Sequence, residues 1–158
     1  MIYVLDTNVI RSLIIYIPRK GKSFEAIWQK IEDKIQCGEY ISVDECYNEL
    51  EKQFSNSTEQ YEWFYSHKEM FKNPSNEESI VISKLLQKPK MRESIRLKNI
   101  IDNRPAADLY IVAKAKTLGA TVVTSEKFKP NSAQLPNLCK ELNVEYINYS
   151  EFLEMVDS

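Results

Sequence analysis

Four acidic residues define the chemistry open to this chain: Asp6, Glu49, Asp108 and Glu126. Asp6 follows the apolar run Ile2-Tyr3-Val4-Leu5 and begins Asp6-Thr7-Asn8, after which apolar residues resume at Val9. A buried strand thus delivers a carboxylate to its own C-terminal end, the edge where open α/β sheets collect ligands. Glu49 lies in a helix that opens at Asp44 and carries Cys46, Tyr47, Leu50 and Phe54 on one side. At about 100° per residue Glu49 falls at the edge of that stripe and Glu45 farther round, towards water, with Glu45 as the alternative acid of this helix. Asp108 occupies the first turn of a helix expected from Ala106 to Leu118, opened by Pro105 and closed by Gly119. Glu126 follows the β-branched run Thr121-Val122-Val123-Thr124.

Each acid also has a plain structural role. Asp6 or Thr7 can cap a helix starting near Asn8, Asp108 can complement a helix dipole, and Glu49 can pair with Lys52. Glu126 stands in a polar loop with Lys127 and Lys129. Four acids converging on one edge are harder to explain by caps, because like charges repel unless a cation neutralises them. Hard oxygen ligands point to Mg²⁺ or Mn²⁺. Nucleophilic catalysis is set aside: Ser125 has no histidine near it in sequence, and the only histidine, His67, is expected on the surface of a helix from Tyr61 to Phe71.

The elements that must position these acids alternate between strand and helix. Ser23 can cap a helix with Phe24, Ile27, Trp28, Ile31 and Ile35 at helical spacing, and Gly38 stands where a glycine would end it. A strand from Tyr40 to Val43 precedes the Asp44 helix. Two capping boxes, Ser57-Thr58-Glu59-Gln60 and Ser75-Asn76-Glu77-Glu78, open helices in a middle third from Thr58 to Asn103 that reads as a helical insertion. Leu135, Leu138, Cys139 and Leu142 give a further helix, Val144 to Asn148 a strand, and Ser150 to Val156 a terminal helix. Alternation of this kind predicts a parallel sheet between helices, with four strands visible and room for a fifth in the middle third.

Composition limits the function classes. At 158 residues the chain is read as one domain, long enough to bury roughly 70% of its unfolded surface. Hydrophobic residues at 43%, charged residues at 28% and a net charge of −2 fit a globular protein rather than a disordered one. No apolar run approaches the roughly 18 residues of a membrane span, and the start carries no basic leader region, so a cytoplasmic location is expected. Cys37, Cys46 and Cys139 occupy apolar periodic positions and read as core residues of a reducing compartment; with one histidine, a zinc site is not expected. The first turn, Asp6-Thr7-Asn8, has no glycine for a dinucleotide. Asn8 replaces the second Asp of a dehalogenase-like phosphatase, and Val4-Leu5 the extra acids of a receiver domain.

Val4-Leu5-Asp6-Thr7-Asn8-Val9, Ile41-Ser42-Val43 followed by Glu49-Leu50, Ala107-Asp108 leading Leu109 to Ala115, and Val122-Val123-Thr124-Ser125-Glu126 resemble, in order and spacing, the four acidic motifs of the PIN-domain nucleases, which include the VapC-type toxins. The resemblance spans nearly the whole chain. It implies a Rossmann-like three-layer α/β/α domain with a central parallel sheet of four to five strands. It further implies a ribonuclease that uses Mg²⁺ or Mn²⁺, with Asp6, Glu49, Asp108 and Glu126 as catalytic and metal-binding acids and Asn8 and Thr124 as supporting residues. By the same resemblance the protein would be the toxin of a toxin–antitoxin pair, with an antitoxin partner and a homodimer. The long middle third marks an atypical branch, and a catalytically weak PIN-like protein or RNA-binding module stands as the other reading.

Substrate placement comes from charge. Between Lys84 and Arg104 lie Lys84, Lys88, Lys90, Arg92, Arg96, Lys98 and Arg104 against only Glu93 and Asp102, a local excess of five in a chain of net charge −2. This segment runs into Asp108, so Arg92, Arg96 and Lys98 are expected to hold an RNA backbone, with a solvated helix face as the plainer alternative. Trp28, Trp63, Phe64 and Tyr65 exceed what a thin helical layer need bury, which would suit a dimer face or simply a core.

Overall fold

Five short strands, each followed by helix, form one parallel sheet in the order β3-β2-β1-β4-β5. The computed structural model describes residues 1–102 and 107–158, with 101 and 102 by backbone alone; Asn103, Arg104, Pro105 and Ala106, to which the expected helix opener and one of the basic residues belong, lie outside them. In chain order the elements are β1 (Tyr3–Leu5), α1 (Thr7–Tyr16), α2 (Lys22–Gln36), β2 (Tyr40–Val43), α3 (Asp44–Gln53), α4 (Glu59–Ser66), β3 (Phe71–Lys72) and α5 (Asn76–Leu86). There follow α6 (Pro89–Asp102), α7 (Ala107–Leu118), β4 (Thr121–Val123), α8 (Leu135–Leu142), β5 (Tyr146–Ile147) and α9 (Tyr149–Asp157).

Local chemistry accounts for most of these boundaries. The Thr58 hydroxyl accepts from the Tyr61 N–H at 3.1 Å to start α4, and the Ser75 hydroxyl accepts from the Glu78 N–H at 3.2 Å to start α5. Helix α2 begins at Lys22 after Gly21, so Ser23 is its second residue rather than its cap. Its end is as expected: Gly38 takes φ +82°, a left-handed turn that glycine adopts without a Cβ penalty. The fifth strand is β3, two residues at the edge of the sheet, and its brevity explains why no alternation marks it.

Register aligns the strand ends. Leu5 of β1 pairs with Val123 of β4, Val4 with Ile41 of β2, and Val123 with Ile147 of β5. Val4, Leu5, Ile41, Val43, Val122 and Val123 are buried, as the central strands of a sheet covered on both faces must be. The chain winds from β1 out to β2 and β3 and then returns past β1 to β4 and β5, through crossovers that parallel strands take right-handed as a rule. In agreement, α1 packs with α3 and α4, α7 with α5 and α8, and the terminal α9 returns to α2.

One alternative is decided and two expectations change. Trp28, Trp63 and Phe64 belong to the core, leaving Tyr65, 59% exposed, from the aromatic group that suggested a dimer face. Cys46 and Cys139 are buried as expected, but Cys37 caps the end of α2 and is exposed. His67 is no free surface residue: its ring stacks on Trp63 at 4.3 Å, Nδ1 faces the Trp63 carbonyl at 2.6 Å, and Nε2 meets the Glu32 carboxylate.

Candidate functional site

In the strand order β3-β2-β1-β4-β5 the direction of winding reverses between β1 and β4, and the crevice beyond the carboxyl ends of that pair is where such sheets bind ligands. The next residues after the Leu5–Val123 pair are Asp6 and Thr124, which the register brings side by side. The Asp6 N–H donates to the Val123 carbonyl at 3.0 Å, and the Thr124 hydroxyl donates to Asp6 Oδ2 at 3.1 Å. Asp6 Oδ1 accepts from the Thr7 N–H at 2.7 Å, so the same carboxylate caps α1. It is 4% exposed. Burial, then the charges of Asp108 and Glu126, push its pKa up to about 8, against the pull of the Thr124 and Thr7 hydrogen bonds.

Asp108 is buried in the first turn of α7. Glu126 is fixed at both ends: its N–H donates to Thr124 Oγ1 at 3.1 Å, and its Oε2 accepts from the Leu135 N–H, at the start of α8, at 3.0 Å. From α6 the Lys98 ammonium donates to Asp108 Oδ2 and to Glu126 Oε1 and Oε2, at 3.1 and 2.9 Å for the latter two. The side chains of Lys98, Asp108 and Glu126 are only 11%, 11% and 14% exposed. Burial works against the ammonium charge, but the two carboxylates outweigh it and hold the Lys98 pKa above its ordinary value. Asp108 and Glu126 therefore share a cation supplied by the chain itself, and Asp6 lies near enough for their charges to raise its pKa.

Two thiols border this region. Cys46 is pushed up to about 12 by burial and next by the charge of Asp6, with a smaller contribution from Glu49; Cys139 is pushed up to about 12 by burial and then by Asp108. Neither is a ready nucleophile. Glu49 is half-buried on α3, one turn beyond Cys46, and so flanks the acid cluster across that thiol. Glu45 is also half-buried on α3, and Asn8 lies half-buried in the first turn of α1. Among the described residues no three His, Cys, Asp or Glu side chains stand in a metal-ligating arrangement.

The basic residues part company. Arg92 and Arg96 are exposed, and Arg96 pairs with Glu93 through two bonds of 3.1 and 2.6 Å. Lys98, grouped with them in the sequence, turns inward. Its spacing carried the signal: Met91, Ile95 and Lys98 recur at i, i+4 and i+7, one helical face, while Arg92 and Arg96 lie on another. A second inward lysine was not foreseen. Lys114 of α7 pairs with the buried Glu78 of α5 at 2.7 Å and donates to the Asn73 carbonyl at 2.8 Å.

Among the described residues, no helix is long and apolar enough to cross a membrane. No curated protein matches the sequence. Solved structures share its fold over nearly the whole chain, among them the following two. One is VapBC2 from Rickettsia felis bound to a DNA fragment from their promoter, at 18% identity and TM-score 0.51, covering 94% of this chain and 98% of that one. The other is VapBC-1 from nontypeable Haemophilus influenzae, at 17% identity and TM-score 0.52, covering 95% of this chain and 99% of that one. The fold is thus PIN-like, as the motif resemblance implied. Residues 3–157 match the family described as Domain of unknown function (DUF4411), and the chain belongs to that family.

Proposed function

We propose that the protein is a divalent-metal-dependent endoribonuclease that hydrolyses RNA phosphodiester bonds, and that it acts as the toxin of a toxin–antitoxin pair in the cytoplasm. The observation that carries this reading is the placement of Asp6 beside Asp108 and Glu126, the last two sharing the Lys98 ammonium, at the point where the sheet reverses direction. Carboxylates gathered at one sheet edge supply the hard oxygen donors that suit Mg²⁺ or Mn²⁺; with Lys98 seated they do not stand as ligands of one ion, and Asp6, Asp108 and Glu126 would hold it once the ammonium leaves. When bound, such an ion lowers the pKa of a coordinated water and polarises a phosphoryl oxygen.

The chain's own residues do the positioning. Thr7 and Thr124 fix the Asp6 carboxylate, and Leu135 fixes that of Glu126, so both are held in orientation at the sheet edge. Glu49, flanking the cluster, accepts the proton of the attacking water at its carboxylate. As water's oxygen bonds to phosphorus, the phosphorus–oxygen bond to the leaving sugar breaks and that oxygen takes up a proton from solvent. Arg92 and Arg96 offer exposed guanidinium groups to the RNA backbone, and Asn8 supports the edge beside Asp6. An antitoxin partner follows from the likeness to VapBC complexes, and a homodimer from the family resemblance. A second reading, a catalytically weak RNA-binding module, is favoured by one observation: a lysine already neutralises the acids.

Cleavage of a labelled RNA pool with Mn²⁺ or with EDTA tests both. The wild-type protein is expected to cleave only with metal, and Asp108→Asn to abolish cleavage. Glu49→Gln should lose about a hundredfold and Glu45→Gln much less. The reverse order would move the role to Glu45, and RNA binding with no metal-dependent cleavage would favour the binding module.

A further inference from the structure

The acids at the sheet edge are neutralised by a residue delivered from a different layer of the fold. Lys98 does not lie along a surface. Its ammonium is shared between Asp108 Oδ2 and both oxygens of Glu126, with all three side chains largely out of solvent. We propose that α6 is an intramolecular inhibitory strap whose Lys98 ammonium fills the cation position of the carboxylate cluster, so that seating of Lys98 and binding of a divalent ion exclude each other. The inference rests on the reading that Asp6, Asp108 and Glu126 hold such an ion.

Exclusion follows from the atoms involved. Mg²⁺ binds carboxylate oxygens at about 2.1 Å, and the oxygens it would take are those the ammonium already holds. A dication and an ammonium on the same oxygens would lie a few ångströms apart where little water remains to screen them. The floor of the cluster does not depend on Lys98: Asp6 is tied to Thr7 and Thr124, and Glu126 to Thr124 and Leu135. Asp6 and Glu126 therefore keep these anchors when the lysine leaves.

Helix α6 is lightly attached, with Ile95 in the core and Met91 packed against it. Among its described side chains Ile95 alone is buried. Leu97 and Ile100 are 47% and 61% exposed, and Arg92 and Arg96 face outward with them. Its principal packing partner is α5 rather than the sheet. The lysine's contacts with the acids thus form a major part of what fixes α6 over the site, and replacing them by a dication removes that attachment.

The experiment uses the full chain and Mn²⁺ alone as probe. Mn²⁺ affinity is read from the paramagnetic resonance signal of the free ion for the wild type, Lys98→Met and Asp108→Asn, and amide hydrogen exchange of α6 is followed in the wild type with and without Mn²⁺. A strap seated nine-tenths of the time weakens apparent affinity about tenfold, so Lys98→Met is expected to bind at least that much more tightly. Mn²⁺ should also speed exchange in α6 of the wild type. Circular dichroism checks that Lys98→Met folds; Lys98→Gln is the second variant, and the wild-type exchange measurement needs neither. Equal affinities with unchanged α6 exchange would overturn the strap and leave the metal reading standing, as would weaker binding by Lys98→Met. If the wild type and Lys98→Met both bind no Mn²⁺, the metal reading falls and the strap with it.

Discussion

Replacing Asp6 by Asn should make the metal-free protein more stable, not less, and the size of the gain follows from the geometry of the cluster. Asp6 is buried beside two other carboxylates, and its pKa stands at about 8 where an ordinary Asp would have 3.8. Its neutral form is the one the fold prefers. Stability is therefore full below pH 3.8 and is lost as pH rises towards 8. At pH 7 the full linkage term is about 4 kcal/mol; because part of it comes from Asp108 and Glu126, the measurable share is about 2–4 kcal/mol. Asn removes the charge and retains an oxygen to accept from the Thr7 N–H, and Asn caps helices about as well as Asp. Urea denaturation in EDTA, repeated between pH 5 and 8, is the assay. The wild type should weaken with rising pH, Asp6→Asn should weaken less, and the gap should be widest at the alkaline end. Parallel curves across that range would refute the argument, and a variant less stable than the wild type at pH 7 would show that the cap and the Thr124 bond outweigh the charge.

Glu78→Ala should cost about 3–5 kcal/mol in the same denaturation assay, because it leaves the buried Lys114 ammonium with the Asn73 carbonyl but without its carboxylate. The double variant Glu78→Leu, Lys114→Met should recover most of that loss, and no recovery would mean that packing rather than charge pairing explains the site. The Glu32–His67 pair should shape the acid and neutral limbs of the stability curve. Burial opposes both charges, but their mutual bond wins, raising His67 above 6.5 and lowering Glu32 below 4.5. Its contribution is full between about pH 4.5 and 6.5, fading below as Glu32 protonates and above as His67 loses its proton. Thermal melts of wild type and Glu32→Gln should differ most inside that window; a difference as large at pH 9 as at pH 5.5 would refute the pairing.

The central strands were legible because both faces of the sheet are covered, which forces continuous apolar runs such as Ile2 to Leu5 and Thr121 to Val123. The helix starts at Thr58 and Ser75 could be read from side-chain chemistry that acts within three residues. β3 was hidden because a two-residue edge strand has no period to detect, and Ser23 was mistaken for a cap because Gly21 offers no side chain to signal one. In the site, strand register juxtaposes Asp6 and Thr124, and the end of each strand is visible in the sequence. Lys98 is hard to read from sequence for a different reason. Charge counting treats a basic run as one surface, whereas helical phase separates Lys98 from Arg92 and Arg96. Glu78 and Lys114 belong to separate helices, and no local pattern joins them.

Asp6 leaves the middle strand of five, and this has a consequence for how the molecule comes apart. The sheet ends in β3 and β5, two residues each, whose hydrogen bonds are the first to fray. β1 is braced by β2 on one side and β4 on the other, with a further bond from the Ser42 hydroxyl to the Leu5 carbonyl at 2.7 Å. Partial opening at either margin leaves Asp6 and Thr124 in place. Asp6 thus sits on the part of the backbone that gives way last, and the least folded states that still hold a β1–β4 pair still hold the Asp6–Thr124 edge of the pocket.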